Sequence, residues 1–304
     1  MNTELDNSNI SKHLGKITGY KCTYDPSLLV REPRANNRKH LGISDDAPPF
    51  AGYDIWNAYE VSCLTDHGMP IAAVAKIVYP ANNKYIVESK SIKLYMNSFN
   101  MEVISGNIVH VLNELQGKIA TDLSSLLETD VRVYVRLTKA VDDSVYYPPI
   151  FSTHHYPTLE NLIDVTTIES ADYKENPNLL SAELLTESKT QRFHSALLKS
   201  NCRVTSQPDW GDVYIHYKGK HLFNTTSLLK YVVSFRDECH FHEEICETIY
   251  KRIYDRFEPE ELVVSCLYVR RGGIDINPTR ANKAELLDRV LIDQYKYFVK
   301  TPRQ

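Results

Sequence analysis

Ser91-Ile92-Lys93-Leu94-Tyr95-Met96-Asn97-Ser98-Phe99 and Ser227-Leu228-Leu229-Lys230-Tyr231-Val232-Val233-Ser234-Phe235 align without a gap. They share the first Ser, the Tyr, the second Ser and the Phe. In the first stretch Ile92, Tyr95, Met96 and Phe99 fall at i, i+3, i+4 and i+7, which is one face of a helix, and the second keeps the same positions apolar. A helix repeated this far apart in a chain points to a repeated unit, and duplication decides a fold class more firmly than any single propensity.

Outward from the first copy, residues 55–64 and 71–79 are rich in β-branched and aromatic side chains. The turn-forming Asp66-His67-Gly68-Met69-Pro70 separates them, so a hairpin is expected. After the repeated helix, Asn107 caps a longer one marked by Ile108, Val111, Leu112, Leu115, Ile119, Leu123 and Leu126. Val131, Val133, Val135 and Leu137 then switch to period two, a strand for which Leu162-Ile163-Asp164-Val165 is the expected partner. The second copy follows the same order. Residues 213–217 start it and turn at Lys218-Gly219-Lys220; a second helix begins near Glu243, turns Ile245, Ile249, Ile253 and Phe257 inward and stops at Pro259. Residues 262–269 form an apolar strand, and Gly273-Ile274-Asp275-Ile276 echoes Ile163-Asp164. Strand pair, two helices and strand pair thus occur twice, an α+β chain of two tandem modules, each an antiparallel sheet backed by two helices.

Residues 1–50 are dense in breakers, among them Asp25-Pro26, Glu32-Pro33-Arg34, Asn36-Asn37-Arg38 and Pro48-Pro49. They read as an irregular arm that ties modules or subunits together. The expected division is an arm over 1–50, a first module over 51–170, a connection over 171–199 and a second module over 200–304. At 304 residues and 42% hydrophobic the chain can bury a core. Its net charge of −4 is spread along the chain without a Lys/Arg run, so direct contact with nucleic acid is not expected. Met1-Asn2-Thr3-Glu4-Leu5-Asp6 lacks the basic and apolar regions of a leader, and no later segment is apolar enough to span a bilayer, so the cytoplasm is the expected compartment and no membrane partner is expected. Cys22, Cys63, Cys202, Cys239, Cys246 and Cys266 show no paired spacing and read as reduced thiols.

Candidate chemistry centres on residues 200–210, Ser200-Asn201-Cys202-Arg203-Val204-Thr205-Ser206-Gln207-Pro208-Asp209-Trp210. Gln207-Pro208 disfavours helix, so a folded-back loop can bring the Cys202 thiol to the Asp209 carboxylate. Polar neighbours and Arg203 favour a reachable thiolate at Cys202. An inert surface thiol is an equal reading, since Cys22 also sits beside a lysine, and Pro-Asp-Trp-Gly is ordinary turn chemistry. His240-Phe241-His242-Glu243-Glu244 places carboxylates at a helix start, where they either cap amides or accept two hydrogen bonds from a guanine-like edge. Cys239, His240, His242 and Cys246 are zinc-type ligands whose spacing matches no common zinc pattern. Glu88-Ser89-Lys90-Ser91 stands at another helix start, as a phosphate site of amides and Lys90 or as a displaced capping box. Arg270-Arg271-Gly272-Gly273 suits a phosphate, an acidic partner or a solvated turn. There is no Gly-x-Gly-x-x-Gly or Walker sequence.

Taken together these stretches resemble the NADPH-dependent 7-cyano-7-deazaguanine reductases, the nitrile reductases of the queuosine pathway, in their long two-module form. The resemblance runs over nearly the whole chain. It is carried by Leu14-Gly15-Lys16, Tyr24-Asp25-Pro26-Ser27-Leu28-Leu29, Trp56-Asn57-Ala58-Tyr59-Glu60, Glu88-Ser89-Lys90-Ser91, Ser200-Asn201-Cys202, Gln207-Pro208-Asp209-Trp210, Phe241-His242-Glu243 and Arg270-Arg271-Gly272-Gly273-Ile274-Asp275-Ile276-Asn277-Pro278. It implies a tunnelling fold (T-fold), whose modules join side by side into barrels, and a homodimer or larger assembly. It also implies that Cys202 forms a thioimide with the substrate nitrile, with Asp209 as proton donor and His242 assisting. Val87, Glu88, Ser89, His242 and Glu243 would hold the deazaguanine, and Ser89, Lys90, Arg271 and Gly272 would hold NADPH, with no metal. Glu238-Cys239-His240 departs from the family, where a His-Asn-Glu run more often precedes Phe-His-Glu. Two other readings stand beside this one, a zinc-dependent purine or pterin cyclohydrolase on the same kind of fold and a non-catalytic purine-binding module.

Overall fold

The computed structural model describes residues 23–138, 156–169 and 172–287. Leu14-Gly15-Lys16 and Cys22 lie outside the described residues. In chain order the elements are β1 (Arg31–Pro33), α1 (Ala35–Arg38), β2 (Ala51–Val61), β3 (Ala73–Pro80), β4 (Tyr85–Val87), α2 (Ser89–Ser98), α3 (Ile108–Leu127) and β5 (Arg132–Leu137). They continue as α4 (Leu159–Leu162), β6 (Ala182–Cys202), β7 (Pro208–Phe223), α5 (Thr225–Val233), β8 (Cys239–His240), α6 (His242–Phe257), β9 (Glu261–Tyr268) and β10 (Ile274–Ala281). The chain is thus α+β.

Apart from a small β1·β4 pair, the strands form one sheet in the order β5-β3-β2-β10-β9-β7-β6-β8. The strands of each half of the chain stay together, and the halves meet where β10 pairs antiparallel with β2, Ile276 opposite Trp56. Side chains alternate across a strand, so register says which face each helix pair covers. Trp56 and Ile276 lie in the core with Ile92, Leu115 and Ile119 of α2 and α3. Arg280, on the same face as Ile276, stands opposite Val264, which lies in the core with Ile245 and Ile249 of α6. Both helix pairs therefore cover the same face. Among the described residues no helix is long and apolar enough to cross a membrane.

The repeated stretches become equivalent parts. Ser91 Oγ donates to Glu88 O at 2.7 Å and accepts from Val30 N at 3.0 Å; Ser227 Oγ donates to Asn224 O at 2.8 Å and accepts from Ser181 N at 3.2 Å. Tyr95 meets Phe99 edge-on at 5.3 Å and Tyr231 meets Phe235 edge-on at 5.4 Å. The shared Ser, Tyr and Phe thus cap and pack each helix in the same way, which is a physical reason for their identity. The partner helices α3 and α6 both end on a left-handed glutamate, Glu128 at φ 54° and Glu258 at φ 41°.

Three expectations need correction. Residues 162–165 are not a strand beside β5: Asp164 accepts from Thr166 N at 3.0 Å and closes a helical turn after α4, because an Asx turn satisfies that backbone locally. Residues 182–199, placed in a connection, belong to the longest strand, β6. Among the described residues its outer edge meets an isolated bridge at His194 and β8 at Asn201 and Cys202; few of its side chains are apolar, so the usual alternation is faint. Lys218-Gly219-Lys220 does not turn; β7 runs through it, and Tyr217 lies over Gly219 so closely that a Cβ there would stand 2.7 Å from Tyr217 Cζ.

The described part of the arm reaches both halves through buried charges. Arg34 pairs with Asp54 of β2. Arg38 donates to Glu247 of α6 at 2.7 and 2.9 Å, and Arg280 of β10 bridges Asp54 at 2.8 Å and Glu247 at 2.9 Å. Each arginine fork has a carboxylate to fill it, the arrangement in which buried charge is tolerated.

Candidate active site

The folded-back loop is the tip of the β6–β7 hairpin. Ser200 stands opposite Asp209 and Asn201 opposite Pro208. Cys202 N donates to Gln207 O at 2.8 Å and Ser206 N to Cys202 O at 2.9 Å, with Ser206 left-handed at φ 55°. Cys202 follows Ser200 by two positions, so its side chain leaves the strand on the same face as Ser200 and Asp209. Thiol and carboxylate are brought to one side by register alone.

That side opens on a cavity of about 350 Å³, a volume that suits a small heterocyclic ligand. Cys202, Asp209, His242, Glu243, Val87, Glu88, Ser89, Lys90, Arg271 and Gly272 all line it, so the residues to which the resemblance assigns chemistry, base and cofactor border one site. The walls come from both halves of the chain: the end of β4 and start of α2 on one side, the hairpin tip, the start of α6 and the β9–β10 turn on the other.

Asp209 is buried, and its two oxygens face different partners. Arg271 Nη1 pairs with Oδ1, while His242 Nε2 lies 3.4 Å from Oδ2. Arg271 Nη2 also donates to Gln207 at 2.5 Å, and His242 stacks on Tyr268 with centroids 3.8 Å apart. Burial opposes ionisation of Asp209, but His242 and Arg271 outweigh it and hold the carboxyl below its ordinary value. Glu243 is the opposite case. Burial, and then the negative charge of Asp54, push its pKa up to about 7, and its Oε1 is buried with no hydrogen-bond partner among the described residues. Glu88 caps α2 by accepting from Lys90 N at 2.8 Å and Ser91 N at 2.7 Å. Those amides are therefore committed to Glu88 and not open to a phosphate, which corrects one half of the sequence expectation; the Lys90 side chain and Ser89 remain on the cavity wall.

A family of proteins described as "Nitrile reductase, 7-cyano-7-deazaguanine-reductase N-term" matches residues 20–135, and one described as "QueF-like protein" matches residues 208–286. The NADPH-dependent 7-cyano-7-deazaguanine reductase of Coxiella burnetii (strain CbuK_Q154) is 41% identical over 273 residues, covering 88% of this chain and 90% of that protein. The protein of the same name from Rickettsia bellii (strain OSU 85-389) is 43% identical over 272 residues, covering 88% of this chain and 92% of that one. The chain belongs to the 7-cyano-7-deazaguanine reductase family. A solved structure of the archaeosine synthase QueF-Like covers 31% of this chain and 92% of its own at 16% identity and a TM-score of 0.28, too low to bear on the fold.

In this reductase-family chain the cavity also includes side chains that sequence reasoning gave no role. Trp56 is buried on β2, and its indole Nε1 has no hydrogen-bond partner among the described residues. Lys93 lies one turn along α2 from Ser89, a spacing that could have flagged it, and reaches the β9–β10 turn: a Cβ on Gly272, at φ +58°, would meet its Nζ at 3.0 Å. Lys90, Lys93 and Arg271 give this wall the cations a dinucleotide's phosphates need, and the residues present fit such a cofactor. The zinc-type set does not converge. Cys246 is buried against Val264 O at 3.5 Å and Pro278 O at 3.4 Å, Cys239 is exposed, His242 faces Asp209 and His240 faces Glu238. Among the described residues no group of three or more His, Cys, Asp or Glu is placed to hold a metal ion.

Proposed function

We propose that this chain reduces the nitrile of 7-cyano-7-deazaguanine to the aminomethyl group of 7-aminomethyl-7-deazaguanine, with NADPH as reductant, as a step toward queuosine in tRNA. The observation that carries the reading is the convergence of the Cys202 thiol, the Asp209 carboxylate and the orphaned Glu243 carboxylate on one cavity. The names of the relatives supply the substrate and cofactor.

The residues divide the work by their surroundings. Glu243, and the lone pairs Glu88 keeps beyond its capping bonds, accept the N–H groups of the deazaguanine edge, while Val87 and Ser89 complete that wall. Cys202 attacks the nitrile carbon. Asp209, ionised in the free protein, takes the thiol proton and passes it to the nitrile nitrogen: a C–S bond forms, one C–N π bond breaks, and the proton ends on nitrogen. The product is a thioimide, whose C=N carbon accepts hydride far more readily than the nitrile does. NADPH, when bound, supplies that hydride, and a second equivalent completes the reduction after the thiol departs. Ser89, Lys90, Arg271 and Gly272 hold the cofactor, and His242 beside Asp209 shares the proton traffic.

The same reading extends to the whole molecule. Two helix pairs on one face of a sheet whose halves meet at β2·β10 support two T-fold modules side by side. The edges left by β5 and most of β6 support a homodimer closing a barrel, in the cytoplasm, with no direct role for nucleic acid or membrane. The decisive test is to mix the protein with 7-cyano-7-deazaguanine in the absence of NADPH and determine the intact mass. An adduct on Cys202 is expected, and Cys202→Ala should lose it while still binding the base. Substantial turnover by Cys202→Ala would overturn the covalent mechanism.

A further inference from the structure

One carboxylate outside the cavity grips the Cys202 hairpin from behind. Glu244 follows Glu243 on α6, but whereas Glu243 lines the cavity, Glu244 does not, and its side chain is 0% exposed. Arg203, the residue after Cys202, donates from Nη2 to Glu244 Oε1 at 3.2 Å and lies 3.1 Å from Oε2. Its Nη1 donates to Asn37 of α1, and the guanidinium lies 5.3 Å from the centre of the Phe241 ring. Arg203 is therefore paired with Glu244, a partner that the sequence did not indicate.

The same carboxylate also meets the residue opposite Cys202. In the β6·β8 pairing Cys202 stands opposite His240, whose Nδ1 lies 3.0 Å from Glu244 Oε1. That contact pairs the ring with the Glu244 carboxylate, and Nε2 is hydrogen-bonded to Glu238 at 2.9 Å. A ring with both nitrogens facing carboxylates, which only accept, carries both protons. Burial opposes that charge, and Glu238 and Glu244 overcome it, raising the pKa of His240 to about 9.

We propose that Glu244 is a positioning residue for Cys202: it holds the residue after the thiol and the residue opposite it, and so sets where Sγ meets the nitrile carbon of the bound base. The assignment rests on the reading of Cys202 as nucleophile. Neutralising Glu244 takes from Arg203 its carboxylate partner and leaves His240 with Glu238 alone, so the hold on both sides of Cys202 is loosened and the hairpin tip shifts. A displacement of about 1 Å at a reacting atom is enough to cost about a hundredfold in rate.

The test separates positioning from binding. Adduct formation is timed by quenched flow and intact mass with 7-cyano-7-deazaguanine and no NADPH, and base affinity is measured by calorimetry with the same substitutions in a Cys202→Ala background. Glu244→Gln and Arg203→Met should each slow the adduct by about ten- to a hundredfold while base affinity stays within about threefold. Arg203→Lys, which keeps the charge, should recover part of the rate, and the double variant should be no slower than the worse single one. Wild-type rates in both single variants, or a loss of base affinity as large as the loss of rate, would overturn the positioning role. Arg203→Met changes a partly exposed side chain and carries the test should Glu244→Gln fail to fold. A wild-type protein that forms no adduct would overturn the nucleophile reading itself, and this role with it.

Discussion

Glu243 and Asp209 line the same cavity and are driven to opposite charge states by what lies behind them. Asp209 has Arg271 and His242 at its oxygens, whereas Glu243 has a buried oxygen and the charge of Asp54 nearby. An acid with a higher pKa folded than unfolded takes up a proton on folding. For Glu243 that contribution is fully present below its ordinary value of 4.5 and is lost as pH rises to about 7, above which it is flat. Wild type should therefore lose stability relative to Glu243→Gln between pH 5 and 8, read as urea midpoints at the two pH values, and parallel curves would refute the raised pKa. The same substitution should weaken base binding by about 1.5–3 kcal/mol at pH 8, the worth of a charged hydrogen bond, as measured by calorimetry. The types of these residues were legible in the sequence, but their charge states were not, because each depends on partners from distant elements.

At the level of elements, the parts with a one-sided apolar face were legible and the parts at edges were not. α2, α3 and α5 each bury one stripe against the sheet, and a 3.6-residue period announces such a stripe; α6 is buried all round from Glu243 to Tyr250 and one-sided only beyond, at Ile253 and Phe257. β6 and the outer part of β7 lack that signal, because among the described residues no named strand pairs with the outer side of β6 before Asn201. Gly219 was misread for a related reason: glycine between lysines resembles a turn, but here it makes room for the Tyr217 ring, whose hydroxyl donates to Phe257 O at 3.2 Å. Gly219→Ala should accordingly cost about 1–3 kcal/mol of stability through overpacking, measured by chemical denaturation. A neutral substitution would show that the ring can move aside.

For the whole molecule, the join between the halves is both a sheet and a charge cluster. β2 and β10 supply the backbone pairing, and Asp54, Glu247, Arg34, Arg38 and Arg280 lock the arm, β2, β10 and α6 together. Removing Glu247 leaves Asp54 alone to balance Arg34 and Arg280, and takes from Arg38 its buried carboxylate. Glu247→Ala should thus destabilise the protein by about 3–5 kcal/mol in chemical denaturation, and a loss below about 1 kcal/mol would show that the arginines find other partners. The candidate active-site cavity straddles this join, since α2 contributes one wall and α6 the other, and Glu247 of the cluster lies on the same helix as Glu243 of that wall.

By itself the sequence determined the repeat and the α+β class and, through the motifs it shares with a family, named part of the cavity lining. These are properties of local spacing: helical period, capping chemistry and motifs that keep their order along the chain. Only the tertiary structure decided that Cys202 and Asp209 share a face of one hairpin, that the Glu88 carboxylate caps the amides of Lys90 and Ser91, and that Arg203 pairs with Glu244. Register, burial and the pairing of charges depend on side chains brought together from positions far apart in the chain, and no local pattern encodes the distances between them.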